Sequence, residues 1–340
     1  MLRYAALVFV IGCSSTPSRT SDPAPSPATD PTPAAAARAS GPGTVETRTF
    51  FAPSLGVDKQ YVVYLPRGYD SSEDRYPVLY LLHGLTGNEH SWVEHIALAE
   101  TADELGFFGI IVMPDGDDGF YINWASQPNY EDCLQGKRPF GREPKMSTYC
   151  VKQANYEDYI TRDLIAHIDS SLRTLARREA RAISGVSMGG YGALVVSMRN
   201  TELFGAVGSH SGVNALLYKG PRPYRQGEVE LYAQPTEWIE NAGVFGRYFE
   251  GMLGRSADYW RQRDPAILAE TLDPEALAIY LDAGSDDKLQ LHDGAQYLDE
   301  VLTRRDIPHE FSLEPGGHDL PFFRSRIDDG LRFFQTYFTR

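Results

Sequence analysis

Positive charge is in short supply in this 340-residue chain, which sets 32 Lys and Arg against 46 Asp and Glu for a formal net charge of -14. A nucleic-acid partner needs a basic face to displace counterions from phosphates, so that class of function is excluded. Long apolar runs are missing too. The one candidate, Tyr4–Gly12, is too short to span a bilayer as a helix. Cysteine is scarce, with three residues in all, and no grouping of His, Cys and Asp has zinc spacing. The run Pro114-Asp115-Gly116-Asp117-Asp118-Gly119 echoes a calcium loop without its closing Glu. No metal and no cofactor is therefore expected. What is present is ordinary for a folded chain, 42% hydrophobic and 23% charged, with ample material for a core.

The N-terminal part lacks anything that could fold. Ser14–Thr44 holds no aliphatic side chain larger than Ala and no aromatic, so it cannot bury enough apolar area to offset ordering entropy. It reads as a disordered, partly extended tether. Ahead of it stand a positive start (Met1-Leu2-Arg3), an apolar segment (Tyr4–Ile11) and Val10-Ile11-Gly12-Cys13. That layout is a signal peptide's, and its end resembles the lipobox of bacterial lipoproteins. The expectation is a signal peptide over 1–12, lipidation at Cys13 and a tether over 13–44. With Ser14 after the Cys, the resemblance implies an exported protein anchored at the outer membrane, touching a membrane only through its lipid. Cys133 and Cys150 then remain, inside a polar insertion over 126–155. In an exported protein they are expected to form a disulfide.

From Val45 onward apolar runs alternate with amphipathic ones. Strands are expected at Lys59–Tyr69, Tyr76–Gly84, Phe107–Gly116, Arg181–Ser184, Phe204–Gly212, Ala276–Gly284 and His309–His318. Helices are expected at Ser91–Leu105, Tyr156–Leu175, after Ser187, at Leu289–Arg305 and at Phe322–Phe338. Such alternation predicts one α/β domain over 45–340, a mostly parallel central sheet with helices on both faces. The aromatic-rich stretch 214–263 breaks the rhythm, and reads either as a lid over a substrate site or as an excursion packing its own aromatics.

The chemistry concentrates at strand ends, where doubly wound sheets bind their ligands. Arg181–Ser184 runs into Gly185-Val186-Ser187-Met188-Gly189 and then a helix. A strand-to-helix turn that sharp favours Gly two residues before and after its apex, and it pushes the apex Ser outward as a nucleophile elbow. Asp282, Asp286 and Asp287 follow one later strand, and His318 follows the last. The order Ser, Asp, His is that of the α/β-hydrolase triad. His accepts the Ser proton near neutral pH, and a carboxylate fixes its tautomer. The oxyanion that forms needs two backbone N–H donors, expected at Met188 and at Leu85 in the loop after His83-Gly84.

Seven segments carry a family resemblance: "YPVLYLLHGLTGNEHSW", "VMPDGDDGFYINW", "YEDYITRDLIAHID", "AISGVSMGGYGALVVSM", "FGAVGSHSG", "YLDAGSDDKL" and "EPGGHD". Together they resemble the putative esterase family, which includes esterase D (S-formylglutathione hydrolase), tributyrin and feruloyl esterases and mycobacterial mycolyltransferases. The resemblance runs from about Ala52 to the C-terminus. It implies an α/β-hydrolase fold and a Ser187–His318–Asp287 triad, the acid lying three residues after Gly284 with Asp286 as a competitor. Leu85 and Met188 match the family's oxyanion donors. The implied activity is hydrolysis of small-molecule or polysaccharide-linked carboxylic esters through an acyl-enzyme. An acyltransferase on the same machinery and a non-catalytic surface binding module are the alternatives. Trp92, Tyr121, Trp124 and Phe322 flank the expected site and are candidate substrate contacts. His83 reads as structural, and His210 has no evident role.

Overall fold

The computed structural model describes residues 41–136 and 149–340. The expected signal peptide, Cys13 and the tether as far as residue 40 lie outside the described residues, as does 137–148 of the expected disulfide loop. All described residues belong to one compact unit.

In chain order the strands and helices are β1 (Thr44–Ala52), β2 (Val57–Leu65), β3 (Val78–Leu82), α1 (Ser91–Ile96), α2 (Leu98–Leu105), β4 (Ile110–Pro114) and α3 (Tyr130–Leu134). A helix α4 follows, made of Tyr156–Asp158, a π-helical turn Tyr159–Leu164 and Ile165–Ser171. Then come β5 (Arg181–Val186), α5 (Met188–Arg199), β6 (Ala206–His210), β7 (Tyr218–Gly220), β8 (Glu230–Leu231), α6 (Pro235–Asn241), α7 (Gly243–Leu253), α8 (Ala257–Arg261) and α9 (Pro265–Ala269). The chain closes with β9 (Ala278–Gly284), α10 (Leu291–Arg304), β10 (His309–Glu314) and α11 (Leu320–Phe338).

Eight strands form one sheet in the order β1-β2-β4-β3-β5-β6-β9-β10. β1 and β2 run antiparallel to their neighbours, and every pairing from β4 to β10 is parallel. The central strands β3, β4 and β5 are buried at every position, which is why they read as unbroken apolar runs. One face packs α1, α2 and α11 through Trp92, Leu98, Ala102, Leu331 and Phe334. The other packs α4, α5 and the insertion through Ile160, Leu164, Leu194 and Val195.

Two expectations need correction. β1 was not expected at all, and it takes in Thr44, the last residue assigned to the tether. As an edge strand it buries only Phe50 and Ala52, so its sequence carries no apolar run. Second, the single helix expected over Ser91–Leu105 is two, because Ala97 adopts a left-handed backbone (φ 60°) and its N–H caps α1 at the Trp92 carbonyl. In the aromatic stretch 214–263 the rings pack on one another, as the second of its two readings has it. Trp238 meets Phe249 at 5.1 Å and Trp260 at 5.4 Å, and Phe249 stands edge-on to Phe120 at 4.7 Å.

The expected disulfide is present: Cys133 and Cys150 are bonded, their Cα atoms 5.7 Å apart. No helix among the described residues is long and apolar enough to cross a membrane.

Candidate active site

β5 hands over to α5 in a single residue. Ser187 sits at φ 56°, ψ -117°, a backbone that L-residues avoid and that turns its side chain away from the sheet. The flanking glycines are required by space. A Cβ on Gly185 would lie 2.4 Å from the Gly189 carbonyl carbon, and one on Gly189 would meet the Leu82 carbonyl oxygen. The Ser187 N–H is tied to the His210 carbonyl at 2.9 Å, which fixes the elbow against β6.

Two loops bring partners to that oxygen. The loop after β10 approaches the end of β9 so closely that Gly284 has no room for a side chain against Gly316. His318 follows, and its Nε2 lies 2.8 Å from Ser187 Oγ. Its Nδ1 lies 3.1 Å from Asp287 Oδ2. The carboxylate accepts, so Nδ1 carries the ring proton and the Nε2 lone pair faces the hydroxyl. Asp287 Oδ1 accepts the Leu289 N–H at 2.7 Å, which holds the carboxylate in place. Asp286 is exposed and meets the loop only through its backbone, donating to the Gly316 carbonyl at 2.8 Å.

Asp282 belongs to a different imidazole. His210 Nδ1 is 2.7 Å from Asp282 Oδ2, the Tyr280 hydroxyl donates to the same oxygen at 3.0 Å, and Arg326 Nε is 3.6 Å away. His210 therefore has a role that its sequence context did not reveal. It is a buried brace behind the elbow.

His83 is structural, as expected, and its bonds explain how the next loop is held. Its Nε2 accepts the Gly116 N–H at 2.9 Å, so Nδ1 bears the proton and donates to the Gly84 carbonyl at 2.9 Å. The Gly87 N–H donates to that carbonyl as well, also at 2.9 Å. With the Gly84 carbonyl so held, the N–H on the other side of the trans peptide, that of Leu85, points the opposite way. Gly84 itself packs against Ser187, its absent Cβ 3.5 Å from the Ser187 Cβ. Among the described residues neither Leu85 N–H nor Met188 N–H donates to a protein acceptor. The Met188 N–H also opens α5, where the helix dipole favours negative charge.

A cavity of about 360 Å³ opens onto Ser187 and His318. Leu85, Asn88, Trp92, Ile96, Leu320 and Phe323 are among its walls. Of the four expected substrate contacts, Trp92 alone lines it. Tyr121 is buried beneath the site, where its hydroxyl donates to the His83 carbonyl at 3.2 Å. Trp124 lines a separate cavity of about 270 Å³ with Asp118, Cys133, Tyr149 and Tyr248. Phe322 packs under the His318 loop, its ring filling the space beside Gly316. Its neighbour Phe323 is the one at the site, edge-on to His318 with ring centroids 5.1 Å apart. Leu320 and Phe323 share one face of α11 at i, i+3, a spacing that was readable beforehand.

Behind the loop that follows His83 lies a buried ionic cluster. Lys59 Nζ sits 2.8 Å from Asp115 Oδ2 and 2.8 Å from Asp117 Oδ1. Burial works to lower the Lys59 pKa, but the two carboxylates outweigh it and the net shift is upward. Burial likewise raises Asp115, but Lys59 and His83 together more than reverse it, leaving the carboxyl below its usual range. For Asp117 burial dominates and the pKa stands well above the ordinary value. No group of three or more His, Cys, Asp or Glu among the described residues could hold a metal ion.

Strand order, elbow and acid-base chain together define an α/β-hydrolase fold. Comparison with solved structures agrees. An S-formylglutathione hydrolase from Agrobacterium tumefaciens superposes with a TM-score of 0.64 at 21% identity, covering 86% of this chain and 95% of the other. A ferulic acid esterase from Anaeromyces mucronatus gives 0.56 at 20%, covering 88% and 92%. The family model described as "Putative esterase" matches residues 52–334, and the chain belongs to that family. An esterase of Mycobacterium tuberculosis is 29% identical over 294 residues, which is 83% of this chain and 57% of the relative. The chain thus spans a little over half the length of the curated relatives it matches.

Proposed function

We propose that this chain is a serine carboxylic ester hydrolase that works through an acyl-enzyme at Ser187. The observation that carries the reading is the continuous Asp287–His318–Ser187 chain at 3.1 and 2.8 Å, opening on a cavity of about 360 Å³. His318 takes the Ser187 proton as the oxygen attacks the ester carbonyl, and returns it to the leaving alcohol. Asp287 holds the imidazole and stabilises its charged form. The N–H groups of Leu85 and Met188 receive the oxyanion. Water then repeats the sequence and frees the acid. Family membership supports ester hydrolysis in general.

The cavity wall supports a neutral substrate. Trp92, Ile96, Leu320 and Phe323 give it apolar surface, and among the described residues no Lys or Arg lines it to pair with a carboxylate on the leaving group. The Cys133–Cys150 bond supports an oxidising compartment for the enzyme, as an exported protein would occupy.

The test is pre-steady-state hydrolysis of p-nitrophenyl acetate and butyrate. A burst of nitrophenol close to one per enzyme is expected, and Ser187→Ala should remove it. An Ala variant that turns over like wild type would end the reading. Adding sugar or lipid alcohols to the same reaction separates hydrolysis from acyl transfer. Free acid alone is the expected product, and a new ester would make the enzyme a transferase instead.

A further inference from the structure

The second side of the oxyanion loop is held by a residue that the hydrolase reading leaves unused. The Gly84 carbonyl, on the N-terminal side of Leu85, is fixed by His83 and Gly87. On the C-terminal side, the Thr86 N–H donates to Asp118 Oδ1 at 2.8 Å. Thr86 needs such a tie, because it sits at φ 67°, a left-handed backbone that is a real outlier for a β-branched residue. Asp118 is itself buried, 2% exposed, and its other oxygen accepts the Tyr149 hydroxyl at 2.9 Å. Its backbone carbonyl accepts the Tyr248 hydroxyl. Tyr149 directly precedes Cys150, so the disulfide to Cys133 anchors the residue that steadies Asp118.

The segment carrying Asp118 is as constrained as the loop it holds. Asp117, Phe120 and Tyr121 all have positive φ (49°, 55° and 57°). Lys59 clamps Asp115 and Asp117 from inside the sheet. The neighbouring carboxylates thus point inward to an ammonium, and the Asp118 carboxylate alone of the three receives a loop N–H beside Ser187.

We propose that Asp118 is a positioning residue for ester cleavage: it pins Thr86 so that the adjacent Leu85 N–H stays aimed at the oxyanion, with Tyr149 and the Cys133–Cys150 bond as its outer support. This rests on the hydrolase reading of Ser187. Without the tie, Thr86 relaxes from its disfavoured backbone and turns the Leu85 peptide with it. The ground-state ester makes little use of that donor, whereas the transition state depends on it.

The experiment compares Asp118→Ala, Asp118→Asn and Tyr149→Phe with wild type on p-nitrophenyl butyrate, with active sites counted by fluorophosphonate labelling. Losing an oxyanion donor outright costs roughly 100- to 1000-fold in kcat, so a misaimed one should cost roughly 10- to 100-fold. Asp118→Ala should lose that much kcat per labelled site with KM within roughly threefold. Asp118→Asn keeps an oxygen for Thr86 N–H and a group to bond Tyr149, and should stay within roughly threefold of wild type. Tyr149→Phe should fall between them. It keeps the proposal testable should Asp118→Ala fail to fold, because a kcat loss without a KM change is the same signature. Wild-type kcat in Asp118→Ala, an Asn variant as impaired as Ala, or a loss confined to KM would overturn the assignment. Ser187→Ala runs alongside. If it still turns over, the hydrolase reading fails and this inference falls with it. If it is silent while Asp118→Ala keeps wild-type kcat, this inference alone fails.

Discussion

Replacing Lys59 by Met removes one charge and leaves two carboxylates buried. Each pair, at 2.8 Å, is worth roughly 6 kcal/mol of gross attraction at an effective dielectric of about 20. Desolvation offsets much of that in the intact cluster, but breaking a buried pair by removing one partner typically costs about 3–5 kcal/mol. Asp117, whose pKa already stands well above the usual range, meets the loss by holding a proton. Asp115, which Lys59 and His83 together hold ionised in wild type, loses its ammonium partner, and taking up a proton instead costs more the higher the pH. The cost should therefore be largest near pH 7.5. In wild type the depressed Asp115 pKa contributes stability above the unfolded value of about 3.9, and that stability is lost as pH falls through the folded pKa. In Lys59→Met the ammonium no longer opposes burial, so the Asp115 pKa rises relative to wild type and the gap between variant and wild type should narrow as pH falls toward 5. With an unfolding entropy of about 2.1 cal/mol/K per residue over roughly 300 residues, 3–5 kcal/mol corresponds to a Tm drop of about 5–8 °C. Calorimetry at pH 7.5 and pH 5 reads both quantities. A drop under about 1.5 °C at pH 7.5, or a gap that widens on acidification, would refute the reasoning.

Three further outcomes follow from the same structure. The Cys133→Ser/Cys150→Ser double variant should lose up to about 3 kcal/mol, the loop-closure term for a sequence separation of 17, and wild type in reductant should melt with it. Identical melting of variant and oxidised wild type would remove the bridge's contribution. Asp287→Asn should cut kcat by about 10⁴-fold by misorienting the imidazole. Asp286→Asn, with its exposed side chain, should match wild type, and the reverse ranking would reassign the acid. Finally, Phe323→Ala should raise KM for aryl and butyryl esters, whereas Trp124→Ala should leave it unchanged because Trp124 faces another cavity.

Much of this architecture was readable from residue types because burial on both faces leaves no freedom. Val78–Leu82 and Ile110–Pro114 have no polar position, and only an interior parallel strand tolerates that. The elbow was readable for a steric reason, since Gly185 and Gly189 stand where any Cβ would strike backbone. β1 escaped notice because an edge strand buries one end and exposes the rest. The acid was ambiguous from residue types, as Asp286 and Asp287 differ only in which way the chain turns after Gly284. Among the aromatic contacts Trp92 lines the cavity, and Trp124 does not for a related reason. Nearness in sequence to a strand end does not set direction, and the left-handed residues Asp117, Phe120 and Tyr121 turn the chain under the sheet before Trp124 is reached. His210 was opaque because its partner Asp282 lies one strand over, 72 residues later.

The central claim is that the hydroxyl at position 187 becomes covalently acylated. Quenching the enzyme in acid milliseconds after mixing with p-nitrophenyl butyrate, then sequencing its peptides by mass spectrometry, tests this directly. The account predicts a butyryl group on the peptide containing Ser187, formed fast in wild type and slowly in His318→Ala. Rapid turnover with that peptide unmodified, or an acyl group on another residue, would contradict it.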